Sequence, residues 1–201
     1  TIRDLIFWQY AKIIIRSRFN LGEMVFNGNT RPHFLSTFRK LKDGEISMSS
    51  STRERRLEFE SSDECGYCGI KSTALTEEHL LPLSKGGPDE EHNLIWACRS
   101  CNSSKGDKGL YEFFTYQNRN RMPRMAEGKY LKLLYCLHEK RGTLELWDLR
   151  QACSVCGLGK KCKDAGIFGE FNVYCLEGLL TSKDEITMNK RRTQARLDDM
   201  I

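Results

Sequence analysis

Four cysteines near the middle of the sequence constrain its fold more than any other feature. They form two Cys-x2-Cys pairs, Cys65 with Cys68 and Cys98 with Cys101, and 29 residues lie between the pairs. Each pair can present two thiolates to one tetrahedral ion, and two such pairs complete a Zn²⁺ site with no position left for water. The spacing therefore predicts a zinc-stapled module in which the metal is structural.

The cysteine count also bears on where the chain resides. There are nine cysteines, so at least one thiol stays outside any pairing. The most apolar stretch, residues 5–19, is interrupted by Lys12, Arg16 and Arg18, and it falls short of the ~20 apolar residues of a membrane span. No small-residue cleavage site of a secretory signal follows it. We expect a cytoplasmic or nucleoid-associated protein, in which cysteine pairs bind metal rather than form disulfides.

The residues between and just beyond the cysteine pairs carry an ordered set of motifs. They read TEEHLLPLSKGGPD at residues 76–89, NLIW at 93–96 and CRSCNSSKG at 98–106. This order resembles the HNH endonuclease family, in its four-cysteine zinc subgroup and with Asn at the third motif position. The resemblance covers residues 62–110. It implies an α+β fold with a ββα-metal core stapled by zinc.

The resemblance also implies a role for each polar motif residue. His79 would be the general base that takes a proton from the attacking water, and Asn93 would fix its orientation through backbone hydrogen bonds across the loop. Glu78 and Asn102 would bind the catalytic cation, Mg²⁺ or Mn²⁺, which prefers oxygen ligands. The family often has Asp at the position of Glu78, so the adjacent Glu77 remains an alternative ligand.

The same segment predicts a hairpin followed by a helix. We expect strands at residues 75–83 and 93–97, a Gly-Gly-Pro turn between them, and a short helix from about residue 98 to 106. Since side chains alternate along a strand, Glu78 and His79 face opposite sides unless a bulge or the strand end redirects one of them. We expect such a distortion, because the resemblance places ligand and base at adjacent positions.

Outside the module, apolar periodicity predicts helices at residues 3–19, 33–41 and 126–140, the last closed by Gly142. A polar loop is expected at residues 47–51 and a charged tail from residue 183. We therefore predict three regions: a helical, substrate-binding region at 1–60, the nuclease module at 61–117, and a helix with a cysteine-rich segment at 118–201.

The distribution of charge suggests a polyanionic partner. The formal net charge is +5, and the segments 31–56 and 99–133, on either side of the first cysteine pair and the motifs, are both rich in Lys and Arg. The alternative is that these are solvated helix faces. Candidate contacts to nucleic acid are Arg99, Lys105, Arg119, Arg121 and Arg124.

A second group of cysteines follows in the last region. It reads Cys153-x2-Cys156-x5-Cys162-x12-Cys175. A second zinc site is the first interpretation, which would bring the structural zinc ions to two. An iron–sulfur cluster, with its fourth ligand from Cys136 or Cys175, and buried thiols without metal are the alternatives.

Taken together, the sequence predicts a metal-dependent endonuclease that hydrolyses phosphodiester bonds in double-stranded DNA, of a restriction, defence or mobile-element type. A homodimer is possible, because one such centre cuts one strand. A zinc-dependent nucleic-acid-binding protein with weak or no nuclease activity, and an RNA-cleaving nuclease, are the alternatives.

Overall fold

Helices surround one small hairpin in the computed structural model, which describes residues 1–48 and 63–180. The predicted loop at 47–51 lies outside the described residues beyond Met48, as does the tail from residue 183. The regular elements, in chain order, are α1 (Ile2–Arg18), α2 (Thr30–Lys42), β1 (Leu75–His79), β2 (Leu94–Cys98), α3 (Arg99–Lys105), α4 (Leu110–Phe114), α5 (Arg124–Arg141), α6 (Leu149–Val155), α7 (Gly159–Asp164) and α8 (Val173–Gly178). The predicted α+β class is confirmed.

The first helix forms the centre of the helical part. A capping box between Thr1 and Asp4 begins α1, because each of the two residues bonds the backbone N–H of the other. Helix α1 packs against both α2 and α5. Its buried Arg16 guanidinium donates to the carbonyl oxygens of Met122, at 3.0 Å, and Gly22, at 2.9 Å. Arg16 therefore ties the start of the chain to the connector that precedes α5.

The long helix α5 ends where the sequence predicts. Gly142 follows its last residue with φ of 68°, a left-handed conformation that glycine adopts without steric cost. Beyond it the chain returns to α1, where the amides of Ile2 and Arg3 donate to the carbonyls of Leu146 and Leu144. Buried residues of all three predicted regions belong to one hydrophobic cluster, so the regions pack together.

The two strands form a regular antiparallel hairpin. Leu75 pairs with Cys98, and the register continues without interruption to His79 opposite Leu94. The bulge considered for this strand is therefore absent, and β1 is shorter than predicted because it ends at His79. The expected distortion is wrong within the strand: Glu78 and His79 keep alternating directions.

The loop between the strands is compact because two glycines let it be so. Gly86 has φ of 81°, and Gly87 approaches other atoms so closely that a Cβ there would lie 2.0 Å from the carbonyl oxygen of Leu81. Two 3₁₀ turns, Leu83–Lys85 and Glu91–Asn93, complete the loop. The loop thus folds back on the end of β1. No helix among residues 1–48 and 63–180 is long and apolar enough to cross a membrane.

Candidate active site

The first cysteine group comes together at the open end of the hairpin. The sulfur atoms of Cys65, Cys68, Cys98 and Cys101 all lie within 4.8 Å of one another, and those of Cys68 and Cys98 are 3.9 Å apart. A tetrahedral ion with Zn–S bonds of ~2.3 Å holds its sulfurs about 3.8 Å apart. The donor set and its spacing therefore fit one zinc ion.

The protonation of these thiols points to a bound cation as well. Burial opposes ionisation of Cys65, but backbone hydrogen bonds from Cys98, Tyr67 and Cys68 outweigh it and lower its pKa to about 7. Burial and the neighbouring sulfurs raise the pKa of Cys101. Four thiolates at this distance repel one another, and a divalent ion relieves that repulsion.

A glycine that sequence reasoning missed docks the first cysteine pair on the hairpin. The amide of Gly66 donates to the carbonyl of Trp96 in β2 at 2.8 Å. A Cβ on Gly66 would lie 2.3 Å from the side chain of Ile95. Only glycine fits between the cysteine pair and the strand, so its position inside the Cys-x2-Cys motif is the signal that identifies it.

Asn93 holds the loop against the end of β1. It is fully buried, and its side-chain oxygen accepts from the amide of Leu81 at 2.9 Å. Its amide group donates to the carbonyls of Leu81 and Pro88, at 2.9 and 2.8 Å. These contacts are of the kind that the family resemblance implies for Asn93, and they place the loop next to His79.

His79 is the last residue of β1 and meets the loop through an acid. Its Nε2 lies 3.0 Å from Oδ1 of Asp89, and 26% of its side chain is exposed. The sequence motif contains Asp89, but its pairing with His79 depends on the fold of the loop. The imidazole is thus accessible to solvent and oriented by a carboxylate.

Glu78 faces the opposite side of β1, toward α3. Its Oε1 accepts a hydrogen bond of 2.7 Å from the ammonium of Lys105, which also donates to the carbonyl oxygen of His79 at 2.6 Å. Lys105 is completely buried, and desolvation lowers its pKa against the opposing effect of Glu78. This burial does not fit the predicted contact of Lys105 with a flanking phosphate.

Asn102 lies on the same face of α3 as Lys105. Its side-chain nitrogen donates to Oγ1 of Thr76 at 3.1 Å, and Thr76 lies two residues before Glu78 on the same face of β1. Glu78 and Asn102 therefore both lie between strand and helix. Glu77 is exposed and pairs with Trp96 on the other face, away from Asn102.

The predicted arginine contacts differ in their surroundings. Arg99 and Arg124 are exposed. Arg121 is exposed and forms an ion pair of 3.0 Å with Glu23. Arg119 stacks on the ring of Tyr116 at 3.7 Å and donates to the carbonyl oxygen of the same residue. Arg99 and Arg124 present their charge to solvent, whereas Arg119 and Arg121 are engaged within the chain.

The second cysteine group also converges in space. Cys153, Cys156, Cys162 and Cys175 line one cavity between α6, α7 and α8. Burial raises the pKa of Cys156 to about 11 and that of Cys175 to about 12. Within the part of the chain that the structure describes, no three of these sulfurs approach one another as closely as those of the first group. Cys136 is exposed on α5, away from this cavity.

The middle of the chain matches a known family. Residues 65–108 match the model of the HNH endonuclease family. No curated protein and no solved structure matched the chain. The matched residues begin at the first cysteine of the zinc-type group and include β1, β2 and α3. Residues 65–108 are therefore an HNH endonuclease domain.

Proposed function

We propose that this chain is a metal-dependent endonuclease that hydrolyses phosphodiester bonds in double-stranded DNA. The observation that carries the proposal is the position of His79, exposed at the end of β1, bonded to Asp89 and adjacent to a loop that Asn93 holds in place. These residues lie inside the domain that matches the HNH endonucleases.

The chemistry assigned to His79 follows from its hydrogen bond. When Nε2–H donates to Asp89, the other ring nitrogen, Nδ1, carries a lone pair and can accept a proton from a water molecule. Asp89 also fixes the plane of the ring. His79 is then the general base, and Asp89 and Asn93 are positioning residues that act through it and through the loop.

The residues that would hold a divalent cation are Glu78 and Asn102. Both provide oxygen atoms, both lie between β1 and α3, and hard cations such as Mg²⁺ and Mn²⁺ prefer such ligands. A bound cation would neutralise the scissile phosphate and stabilise the leaving oxygen. Lys105 holds one oxygen of Glu78 in place and leaves the carboxylate a second oxygen with which to bind.

The zinc proposed for Cys65, Cys68, Cys98 and Cys101 has a structural role. It joins the segment before β1 to the junction of β2 and α3, which carries Asn102. Its four sulfur ligands leave no site for water or substrate.

The experiment that tests the proposal combines one substrate with two histidine variants. Purified protein is incubated with supercoiled plasmid and Mg²⁺ or Mn²⁺, with EDTA as the metal-free condition. We expect cleavage only with the cation, and a fall of ~10²-fold or more in His79→Ala. The matched control is His92→Ala, because His92 is an exposed histidine on the same loop that pairs with Glu90.

The outcomes separate the competing functions. Equal cleavage by wild type and His79→Ala would contradict the assignment of the general base. Binding of plasmid without cleavage under every cation would favour a nucleic-acid-binding protein. Cleavage of RNA duplexes and single strands, but not of plasmid, would replace DNA with RNA as the substrate.

A further inference from the structure

A cavity outside the HNH domain is lined by four cysteines from separate stretches of chain. Cys153 lies on α6, Cys162 on α7 and Cys175 on α8, and Cys156 lies in the loop after α6. Cys162 and Cys175 are almost completely buried. Apolar side chains, including Phe168 and Leu179, complete the lining. The fold thus assembles four sulfur ligands around one enclosed point.

The spread of these sulfurs distinguishes the cavity from the zinc-type group. At the latter all four sulfurs lie within 4.8 Å of one another, whereas among the described residues no three sulfurs of the second group do so. One tetrahedral zinc holds its sulfurs about 3.8 Å apart. A polynuclear cluster places iron and sulfide between the cysteines, and it therefore requires sulfurs that are farther apart.

The walls of the cavity accommodate sulfur in two specific ways. The side-chain nitrogen of Asn172 lies 3.8 Å from Sγ of Cys162, so an amide donor faces this sulfur. Hydrogen bonds to cysteine sulfur are one of the means by which proteins tune iron–sulfur clusters. At Gly178 a Cβ would lie 2.3 Å from Sγ of Cys156, so the absence of a side chain lets Cys156 approach α8.

We propose that Cys153, Cys156, Cys162 and Cys175 bind an iron–sulfur cluster in this cavity. The four thiolates complete a ligand set of four cysteines, and the sulfur spread favours a cluster over a single ion. The proposal goes beyond the nuclease function and does not depend on it, because the cysteines lie outside residues 65–108.

The cluster would be a structural support for the HNH domain. Helix α8 carries both Cys175 and Glu177, and the carboxylate of Glu177 accepts the amides of Tyr111, at 2.5 Å, and Glu112, at 3.0 Å. These amides belong to the first turn of α4, which follows the HNH domain directly. A cluster that holds Cys175 therefore also positions the residue that caps α4.

The first test is the composition of the full-length protein purified without oxygen. We expect one cluster per chain, seen as iron and acid-labile sulfide together with broad visible absorption, besides one zinc. If the isolated protein lacks iron, it is incubated anaerobically with ferrous iron, sulfide and a thiol reductant, and uptake is measured. Failure to take up iron and sulfide, or two zinc ions per chain in their place, would overturn the proposal.

Five serine variants locate the ligands. Cys153→Ser, Cys156→Ser, Cys162→Ser and Cys175→Ser should each lose iron, sulfide and the visible absorption, while zinc stays at one per chain. Cys136→Ser is the matched control, because Cys136 is exposed and lies away from the cavity, and it should retain the full cluster. Loss of the cluster in Cys136→Ser, with retention in Cys175→Ser, would overturn the ligand assignment. The composition of the wild type decides the proposal even if a variant does not fold.

Discussion

At the scale of single residues, the pairing of Glu78 with Lys105 is the contact that most changes the interpretation of the motif. The Lys near the end of the Cys-x-x-Cys-Asn-x-x-Lys pattern suggests a contact to phosphate. In the fold its ammonium is enclosed between β1 and α3, with Glu78 and the carbonyl of His79 as acceptors. Lys105 thus balances the charge of the proposed cation ligand.

This pairing leads to a prediction about stability. In Lys105→Met the largely buried Glu78 keeps its charge and loses its partner, so we expect a loss of ~3 kcal/mol in the free energy of unfolding. Chemical denaturation measures the loss, and the double variant Lys105→Met/Glu78→Gln should recover part of it. A Lys105→Met protein as stable as wild type would show that the ion pair contributes no net stability.

A second residue-scale prediction concerns Asp89. Asp89→Asn removes the charge beside His79, and we expect kcat for plasmid cleavage to fall by ~10-fold, less than on removal of the base itself. KM and the melting temperature should not change. Asp89→Glu should restore part of the rate.

The control for Asp89 lies in the same loop. Glu90 pairs with exposed His92 at 3.1 Å, so Glu90→Gln removes a similar contact at a histidine without an assigned role. A rate in Glu90→Gln as low as that in Asp89→Asn would mean that loop charge, rather than orientation of His79, sets the rate.

At the scale of elements, the loop between β1 and β2 depends on the absence of a side chain at one position. In Gly87→Ala the new Cβ would meet the carbonyl oxygen of Leu81 and the amide of Asn93. The loop must move, and the hydrogen bonds of Asn93 are lost or distorted. We expect a destabilisation of ~2 kcal/mol, measured by urea unfolding, and reduced cleavage.

Gly86→Ala is the matched control for this clash. Gly86 has a left-handed conformation, but nothing lies within 4 Å of the position that a Cβ would take there, so its cost is backbone strain alone, about 1 kcal/mol. An effect of Gly86→Ala equal to or larger than that of Gly87→Ala would show that close packing of the loop is not the main constraint.

The zinc-type group gives the second element-scale prediction. Since its cysteines join the segment before β1 to β2 and α3, Cys65→Ser should lose the zinc and unfold the hairpin. Zinc content by elemental analysis and a melting curve measure both effects, with Cys136→Ser as the control. Full zinc and a wild-type melting curve in Cys65→Ser would contradict the ligand assignment.

At the scale of the whole molecule, His138 connects α5 to α8. It is completely buried, with Nε2 at 3.0 Å from the carbonyl oxygen of Leu176 and Nδ1 at 2.7 Å from Oγ1 of Thr143. Burial is the main reason that its pKa falls from 6.5 to about 4. The folded protein therefore excludes a proton that the unfolded chain accepts below pH 6.5.

The sign of the pH dependence follows from this difference. The contribution of His138 is fully present above pH 6.5 and is lost as the pH falls toward 4, by about 1 kcal/mol at pH 5.5. We expect the stability difference between wild type and His138→Gln to shrink by this amount between pH 7.5 and pH 5.5 in urea unfolding. A difference independent of pH would mean that His138 is protonated in the folded protein.

Local features of the fold follow from the sequence alone. The ends of α1 and α5, the pairing of cysteines two residues apart, and the motif order of residues 65–108 are set by helical periodicity, capping residues and short spacings. The short helices α4, α6, α7 and α8 are not predicted, because five to seven residues carry too little periodicity and form through tertiary contacts.

Tertiary packing sets which partners the charged and sulfur-bearing side chains find. Lys105 is buried because α3 packs on β1, and Asp89 reaches His79 because Asn93 folds the loop back. The spread of the four cysteines in the C-terminal cavity likewise depends on how α6, α7 and α8 pack. Each of these contacts joins residues distant in sequence, and the side that a residue faces is determined by packing rather than by local propensity.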